Sequence, residues 1–444
     1  MRSPPGHWLL GHLPALRNDP LNLLDQCSAG VIPLNLGTRA WLVLDPADAA
    51  HVLEHSESTY TKGRAFRFGK RLYGNSLLVS EGSEHRQQAQ HIGALFFQHA
   101  AQLFEQSTIQ QTRRWLNRWQ DGQELDLQSS LVELTLAISS QSMFGEDFVP
   151  AWRSQNAADH SEHILHAFDT AMQHVARQAF TWFPPPDWLP TPANRRYRKA
   201  IRVLDAALHS AVERRIAGTH SGGFLDHLLN AHLEQPATFS RKQLRDQALV
   251  LLLGAYESTA TTLCWTMLLL SQHDAIRNRM RTEIREVVSA EDIQASDAKS
   301  LRYVAQVFSE SLRLYPSAWL IPRAAAQRDT LPSGLCIPQG CQVFLSPYRT
   351  QRDAGVFEDP LTFDPDRFDL SAPAHIPHGG YFPFGMGPRQ CLGESVARSQ
   401  AVLILATLFR HRDFQPLNPE LPRPEPLLTL RPPSPLPVRI RYVS

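Results

Sequence analysis

Tyr381-Phe382-Pro383-Phe384-Gly385-Met386-Gly387-Pro388-Arg389-Gln390-Cys391-Leu392-Gly393 places one cysteine at the tip of a loop rich in glycine and proline. A helix-like pattern follows from Glu394 towards Phe409. Gly385, Gly387 and Gly393 allow a tight turn and the close approach of a flat ring, with no Cβ in the way. Backbone N–H groups beside Cys391, and the positive end of the helix that follows, would hold the sulfur as thiolate. Phe384 could shield that sulfur from water, and Arg389 could pair with an anionic edge group. The chemistry this suits is thiolate ligation of a large planar iron cofactor. A G-x-G fragment also invites a dinucleotide reading, but Gln390 stands where the third glycine belongs and no strand-like apolar run leads in.

A second constellation lies in the longest periodic stretch, Arg241 to His273. Gly254-Ala255-Tyr256-Glu257-Ser258-Thr259 brings small residues, an acid and hydroxyls together inside an apolar block. A buried carboxylate is costly unless paired or put to use. Gly254 removes bulk from one face, where a flat ligand or dioxygen could approach. Ser258 and Thr259 can bond back to carbonyls four residues earlier and bend the helix. Read alone, the stretch is equally a packed helix with a tolerated Glu at its edge. Further on, Glu310 and Arg313 fall at i and i+3 on one helix face. Leu314-Tyr315-Pro316 ends that helix, and Phe363-Asp364-Pro365-Asp366-Arg367-Phe368 follows downstream. His160, His163, His166 and His174 could suggest a metal face, but no carboxylate–histidine pattern frames them.

The Cys391 loop resembles the haem-binding loop of the cytochrome P-450 family, F-x-x-G-x-x-x-C-x-G, with Phe384, Gly387, Cys391 and Gly393 in register. The resemblance runs from Pro4-Pro5-Gly6 to the end of the chain. It implies a mainly α fold with small β sheets (α+β), a long central helix lying over haem b (iron protoporphyrin IX), and Cys391 as the axial iron ligand. Gly254 to Thr259 is similar to the family's oxygen-activation motif, A/G-G-x-D/E-T-T/S, in which an acid–alcohol pair routes protons to dioxygen. Here that pair is Glu257 and Ser258, with Thr259 beside it. Ala255 replaces the usual second glycine, and Ser258 stands where threonine is usual, with a freer rotamer. By the same resemblance Glu310, Arg313 and Arg367 form a buried structural triad. Arg389, Arg323, His85 and Arg86 hold the haem propionates. The helix after His85-Arg86 ends the usual pattern on Ala89, so one customary contact is absent.

The implied activity is that of a haem-thiolate monooxygenase, which inserts one atom of O2 into a C–H bond of a hydrophobic substrate. No nucleotide or flavin motif is present, so no fused reductase is expected. Electrons would pass from NAD(P)H through a separate ferredoxin or flavodoxin with its reductase, docking on the Cys391 side near Arg86, Arg113 and Arg114. The resemblance draws the pocket wall from Phe66, Phe68, Leu72, Tyr73, Phe180, Trp182, Phe183, Gly254, Ala255, Ala318, Trp319, Leu320, Ile321, Leu428 and Leu430. Nearly all are apolar, so the ligand should be hydrophobic. Arg64, Arg67, Lys70 and Arg71 interleave with the first aromatics and could hold a carboxylate at the mouth. The Arg313-Leu314-Tyr315-Pro316 and Pro322-Arg323 style resembles fatty-acid-hydroxylating members. Hydroxylation of a medium- or long-chain fatty acid near the chain end is the leading expectation. A terpenoid or other secondary metabolite is the alternative, ahead of a peroxide-driven peroxygenase or a non-catalytic haem sensor.

The rest of the sequence must position these groups. The chain has 444 residues and a formal net charge of +1, and nearly all its basic residues are arginine. Near-neutral charge argues against nucleic acid as a partner. Cys27, Cys264, Cys336, Cys341 and Cys391 form no disulfide framework, and the Cys336/Cys341 pair lacks the partners a zinc site needs. The N-terminal apolar stretch is broken by Pro14, and the longest apolar block, Ala248 to Gly254, falls far short of a ~20-residue span. A cytoplasmic protein with no integral membrane anchor is expected. The patterns suggest a hairpin at Val31–Gly37 and Ala40–Asp45 and a short helix from Pro46 to Glu54. Helices follow over Glu84–Phe97, Ala101–Trp119, Gln128–Phe144, His160–Phe180, Asn194–Gly218, Phe224–Ala231, Arg241–His273, Asp274–Ser289 and Leu301–Leu314. One haem domain is expected over 1–444, β-rich over about 1–75 and 330–444 and α-rich over about 76–329.

Overall fold

Prolines in first turns and polar caps start many of the helices, and apolar periodicity carries them. The computed structural model describes residues 4–28, 30–63, 65–145, 161–179, 181, 184–217, 222–234, 239–288, 292–371 and 375–443. In chain order the helices are α1 (Leu13–Asn18), α2 (Pro20–Asp25), α3 (Pro46–Glu54), α4 (Ala65–Phe68), α5 (Lys70–Tyr73), α6 (Gly82–Leu95), α7 (Ala101–Leu116) and α8 (Leu127–Phe144). They continue with α9 (Ser161–Ala179), α10 (Pro192–Ile216), α11 (Phe224–Glu234), α12 (Arg241–Gln272), α13 (Asp274–Val287), α14 (Arg302–Leu314), α15 (Pro347–Thr350) and α16 (Glu394–His411). The strands are β1 (Val31–Asn35), β2 (Arg39–Val43), β3 (Tyr60–Lys62), β4 (Glu124–Asp126), β5 (Ile321–Ala325) and β6 (Asp329–Thr330). After them come β7 (Cys336–Ile337), β8 (Gln342–Leu345), β9 (Arg412–Pro416), β10 (Glu425–Pro426), β11 (Leu430–Arg431) and β12 (Pro437–Tyr442).

The spine is α12. A capping box starts it: the Ser240 hydroxyl accepts from the Gln243 N–H, and the Gln243 side chain accepts from the Ser240 N–H. Its 32 residues make a rod about 48 Å long. Every residue from Thr259 to Leu270 is buried, so side chains pack on all faces, against α8, α14 and α16. Gly254, in the preceding turns, is exposed in mid-helix. Among the described residues α12 is the one helix long and apolar enough to cross a membrane, and here it is the packed core helix.

The chain from Gly82 to Leu116 is helical without a break, because a π-helical turn, Phe96–Ala100, joins α6 to α7. The sequence suggests two separate helices. The wider turn keeps Phe96 inside, where its ring meets Phe104 at 6.4 Å and Phe224 at 5.5 Å.

The largest sheet has the order β1-β2-β8-β5-β3, with β2 and β8 parallel and the other neighbours antiparallel. It therefore joins residues near 31–62 to residues near 321–345. Its edge register sets Lys62 opposite Arg323. A second sheet, β4-β12-β9, ties Glu124–Asp126 to the C-terminal strand. β4 has no apolar alternation to announce it and exists through that pairing. The short hairpin β10–β11 packs its second strand against α12.

Candidate functional site

The Cys391 loop is held from behind. Gly387 has φ +69°, and a Cβ there would lie 2.7 Å from both the Glu54 Cα and the Leu53 carbonyl of α3, so only glycine fits. The Cys391 N–H donates to the Phe384 carbonyl at 2.9 Å, and the Arg398 guanidinium lies 5.0 Å above the Phe384 ring. α16 begins immediately afterwards, with Gly393 as an N-cap that supplies no side chain. Its first N–H groups are left to the cysteine side. Cys391 is open to space at its surface, yet the surrounding protein pushes its thiol above the usual value, the Gly393 N–H opposing that rise. A sulfur in this setting becomes a thiolate when a metal takes it.

Four basic groups converge beside this loop. Arg389 keeps 2% of its side-chain surface and donates from Nη2 to Glu81 at 2.8 Å. Its Nε and Nη1 are buried and have no hydrogen bond among the described residues. Arg323, 4% exposed, donates from Nε to the Ser56 hydroxyl at 3.0 Å. Burial, then the charge of Arg389, brings it down to about 10. His85 hydrogen-bonds Glu57, and burial, then Arg389, lowers it to about 4. Burial, with Arg323 and Arg389, holds Lys62 well below an ordinary lysine. Three basic side chains and an imidazole thus share two carboxylates, and two buried guanidinium donors stay unmatched. Arg86 is not one of this group: its side chain is 60% exposed and stands 3.9 Å from Glu57, a solvated rim charge. The sequence reading missed Lys62, Glu57 and Glu81. Lys62 enters through the β3–β5 register, a pairing of residues far apart in sequence that no local pattern shows.

On α12 a Cβ built at Gly254 meets no atom within 4 Å. One turn on, the Ser258 hydroxyl donates to the Gly254 carbonyl at 2.8 Å. The Ser258 carbonyl in turn accepts from Thr262 at 3.0 Å and from Ser317 at 2.9 Å. Ala255 is half-buried, and Thr259 lies on the packed side, 4% exposed. Glu257 accepts a hydrogen bond from the Thr429 hydroxyl at 3.0 Å. Burial pushes its carboxyl up, with Thr429 and then Arg431 opposing. An open notch in a packed helix, a cleft cysteine and unmatched buried donors for anionic edge groups fit a flat iron cofactor that carries carboxylates.

Of the expected pocket residues, Leu72 and Tyr73 are buried, and the Tyr73 hydroxyl lies 3.4 Å from the Met172 sulfur, linking α5 to α9. Phe66 and Phe68 are half-buried, with the Lys62 ammonium 4.7 Å from the Phe66 ring centre. Ala318 is exposed and Leu320 half-buried. Trp319 packs with Leu21, Leu430 and Tyr348 in the N-terminal cluster and donates to the Leu427 carbonyl at 2.8 Å, so it braces the hairpin turn. Leu428 is 40% exposed. Phe180, Trp182, Phe183, Arg64 and His160 lie outside the described residues.

The buried pair is complete. Arg313 and Glu310 are both fully buried and meet through two contacts, Nε–Oε2 at 2.6 Å and Nη2–Oε1 at 2.8 Å. Arg313 also donates to the carbonyls of Gln351, Pro360 and Thr362, and the Asp364 N–H donates to Glu310 at 2.9 Å. Arg367 stands 3.6 Å from Glu310, a looser third member. At the other end of α16, Arg113 pairs with Asp292 at 3.2 Å in a cleft shared with Arg410 and Arg412. Along the 18 residues of α16 that is roughly 27 Å from the Cys391 loop, so Arg113 does not belong to the cysteine end.

The family model described as Cytochrome P450 matches residues 1–439, and the chain belongs to the cytochrome P450 family. It is a haem monooxygenase of P450 type, which uses O2 and external electron donors. It is 30% identical to the Cyclooctat-9-en-7-ol 5-monooxygenase of Streptomyces melanosporofaciens over 92% of this chain and 88% of that one. It is 28% identical to the Cyclooctatin synthase of the same organism, covering 96% and 93%. To the Pentalenene oxygenase of Streptomyces avermitilis it is 27% identical, covering 90% and 88%.

Proposed function

We propose that Cys391 ligates the haem iron and that the chain hydroxylates a terpenoid hydrocarbon or alcohol. The supporting observation is the set of relatives named for cyclooctat-9-en-7-ol and pentalenene, substrates whose names carry no carboxylate. The fatty-acid expectation gives way to its alternative. Arg431, beside Glu257, already has Asp169 and Glu425 as partners.

Arg389, Arg323, His85 and Lys62 would hold the cofactor's carboxylates, Lys62 supplying the charge that Ala89 lacks. When bound, the haem supplies reductive activation of dioxygen and insertion of one oxygen atom into a C–H bond, the other leaving as water. The protein holds the substrate against an apolar wall, keeps water from the sulfur with Phe384, and moves protons. Glu257 takes protons from the Thr429 side, and Ser258, one residue on, offers its hydroxyl at the Gly254 notch. Electrons come from NAD(P)H through a separate ferredoxin or flavodoxin and its reductase. All five cysteines are free thiols, which fits a reducing compartment such as the cytoplasm.

The experiment is a mass-spectrometric turnover screen with surrogate redox proteins, terpenoid hydrocarbons and alcohols against fatty acids. Oxygenated terpenoid products with silent fatty acids support the proposal. Fatty-acid products alone overturn it.

A further inference from the structure

The C-terminal end of α16 holds more positive charge than the residues around it use. α7 brings Arg113 there from its last turn, and Arg410 and Arg412 stand where α16 runs into β9. The three line a cleft of about 370 Å³, in which Asp292 is the one carboxylate among the described residues. Three guanidinium groups against one carboxylate leave two positive charges over. Arg113 is engaged: Nη1 lies 3.2 Å from Asp292, and Nη2 donates to the Ile293 carbonyl at 3.1 Å. Arg410 Nη1 and Arg412 Nε are buried and make no hydrogen bond among the described residues. Asp413, next to Arg412 on β9, turns instead to Arg281 at 3.1 Å and Arg277 at 3.7 Å. The Arg412 guanidinium is held in place, 3.5 Å over the Tyr442 ring and with Nη1 donating to the His411 carbonyl at 3.1 Å. Burial, then the charges of Arg410 and Arg412, keep His411 below the ordinary histidine value, as a positive field in a cleft does. A buried guanidinium N–H without an acceptor costs free energy, and an anion supplies the acceptor.

We propose that this cleft is a binding site for a small soluble phosphate ester, separate from the cysteine site. Guanidinium groups offer planar forks that match phosphate oxygens in pairs, and a dianion cancels the two surplus charges. The volume falls within the range of small-molecule sites, roughly 300–1,000 Å³, which leaves room for an organic group beside the phosphate. Leu116 and Ile293, both buried and both in the lining, give that group an apolar wall. The Arg113–Asp292 contact is half exposed, at 34% and 55% of side-chain surface, so a phosphate can replace it at little cost. The length of α16 lies between this cleft and Cys391. The ligand is therefore a different molecule from the one that is oxygenated.

The test is calorimetric titration of the haem-loaded protein with phenyl phosphate and with inorganic phosphate, sodium chloride keeping the ionic strength constant. Phenyl phosphate should bind saturably, more tightly than inorganic phosphate, and leave the haem Soret band where it is. Arg410→Gln should weaken it by about tenfold or more, the loss expected when a charged hydrogen-bond donor is removed. Arg39→Gln, at an exposed position on β2, should leave the affinity unchanged. No saturable binding overturns the proposal, as does binding that moves the Soret band. A loss smaller than that in Arg410→Gln, or an equal loss in Arg39→Gln, marks general charge attraction and also overturns it. Inorganic phosphate binding as tightly as phenyl phosphate overturns the ester, since the organic group would then find no wall. Should Arg410→Gln fail to fold, Arg113→Gln is held to the same criterion.

Discussion

Ser258 spends its hydroxyl on the Gly254 carbonyl, and Glu257 reaches the other way, to Thr429. The acid and alcohol are neighbours in sequence, yet each is steadied by a different partner. Glu257→Gln should lower kcat by about 100-fold while haem content stays full, because removing a positioned acid costs at least that order. Turnover and haem absorbance measured together check this. Gly254 offers a second test at this scale. Its missing side chain leaves space rather than relieving strain. Gly254→Ala should therefore stabilise the helix by up to about 1 kcal/mol, read by denaturant unfolding of the haem-free protein. His85 gives a pH prediction. Its folded value is lowered to about 4, mainly by burial, so the unfolded chain binds the proton more readily below the usual histidine value of ~6.5. Stability of the haem-free protein should be full above that value and fall as pH drops from there towards 4. His85→Gln should flatten this acid limb in pH-dependent unfolding.

At the scale of elements, the sequence was legible where a single helix makes its own case. The starts of α3 at Pro46 and α12 at Arg241, and the ends of α8 at Phe144 and α14 at Leu314, match their sequence patterns, since caps and periodicity lie inside each segment. β3 and β4 were not legible, because each is three residues long and is defined by a distant partner. The same physics hid Lys62 and Thr429, whose contacts arise where segments distant in sequence meet. Glu310 and Arg313 were legible because their i, i+3 spacing is local, although their full burial was not. That burial fixes a magnitude. Arg313→Met strands the Glu310 charge and should cost ~3–5 kcal/mol. Arg367, 10% exposed and 3.6 Å away, should cost distinctly less when changed to Ala. Chemical denaturation of both variants ranks them, and equal losses would contradict the geometry.

Across the whole molecule, the fold separates two ends of α16. Cys391 precedes its N-terminus, and the arginine-lined cleft with Arg113 sits at its C-terminus. An electron donor that serves the sulfur side should not feel the far cleft. Arg113→Glu is expected to leave the reduction rate and its salt dependence unchanged in stopped-flow measurements with a ferredoxin. A tenfold loss would move the docking surface to that end.

All of this depends on sulfur reaching iron at position 391. The most direct measurement is the absorption spectrum of the purified, haem-loaded protein after reduction under carbon monoxide. A Soret band strongly shifted to the red, lost in Cys391→His, is the predicted result. A carbonyl complex with the unshifted band of an imidazole-bound haem, or one unchanged by the substitution, would contradict it.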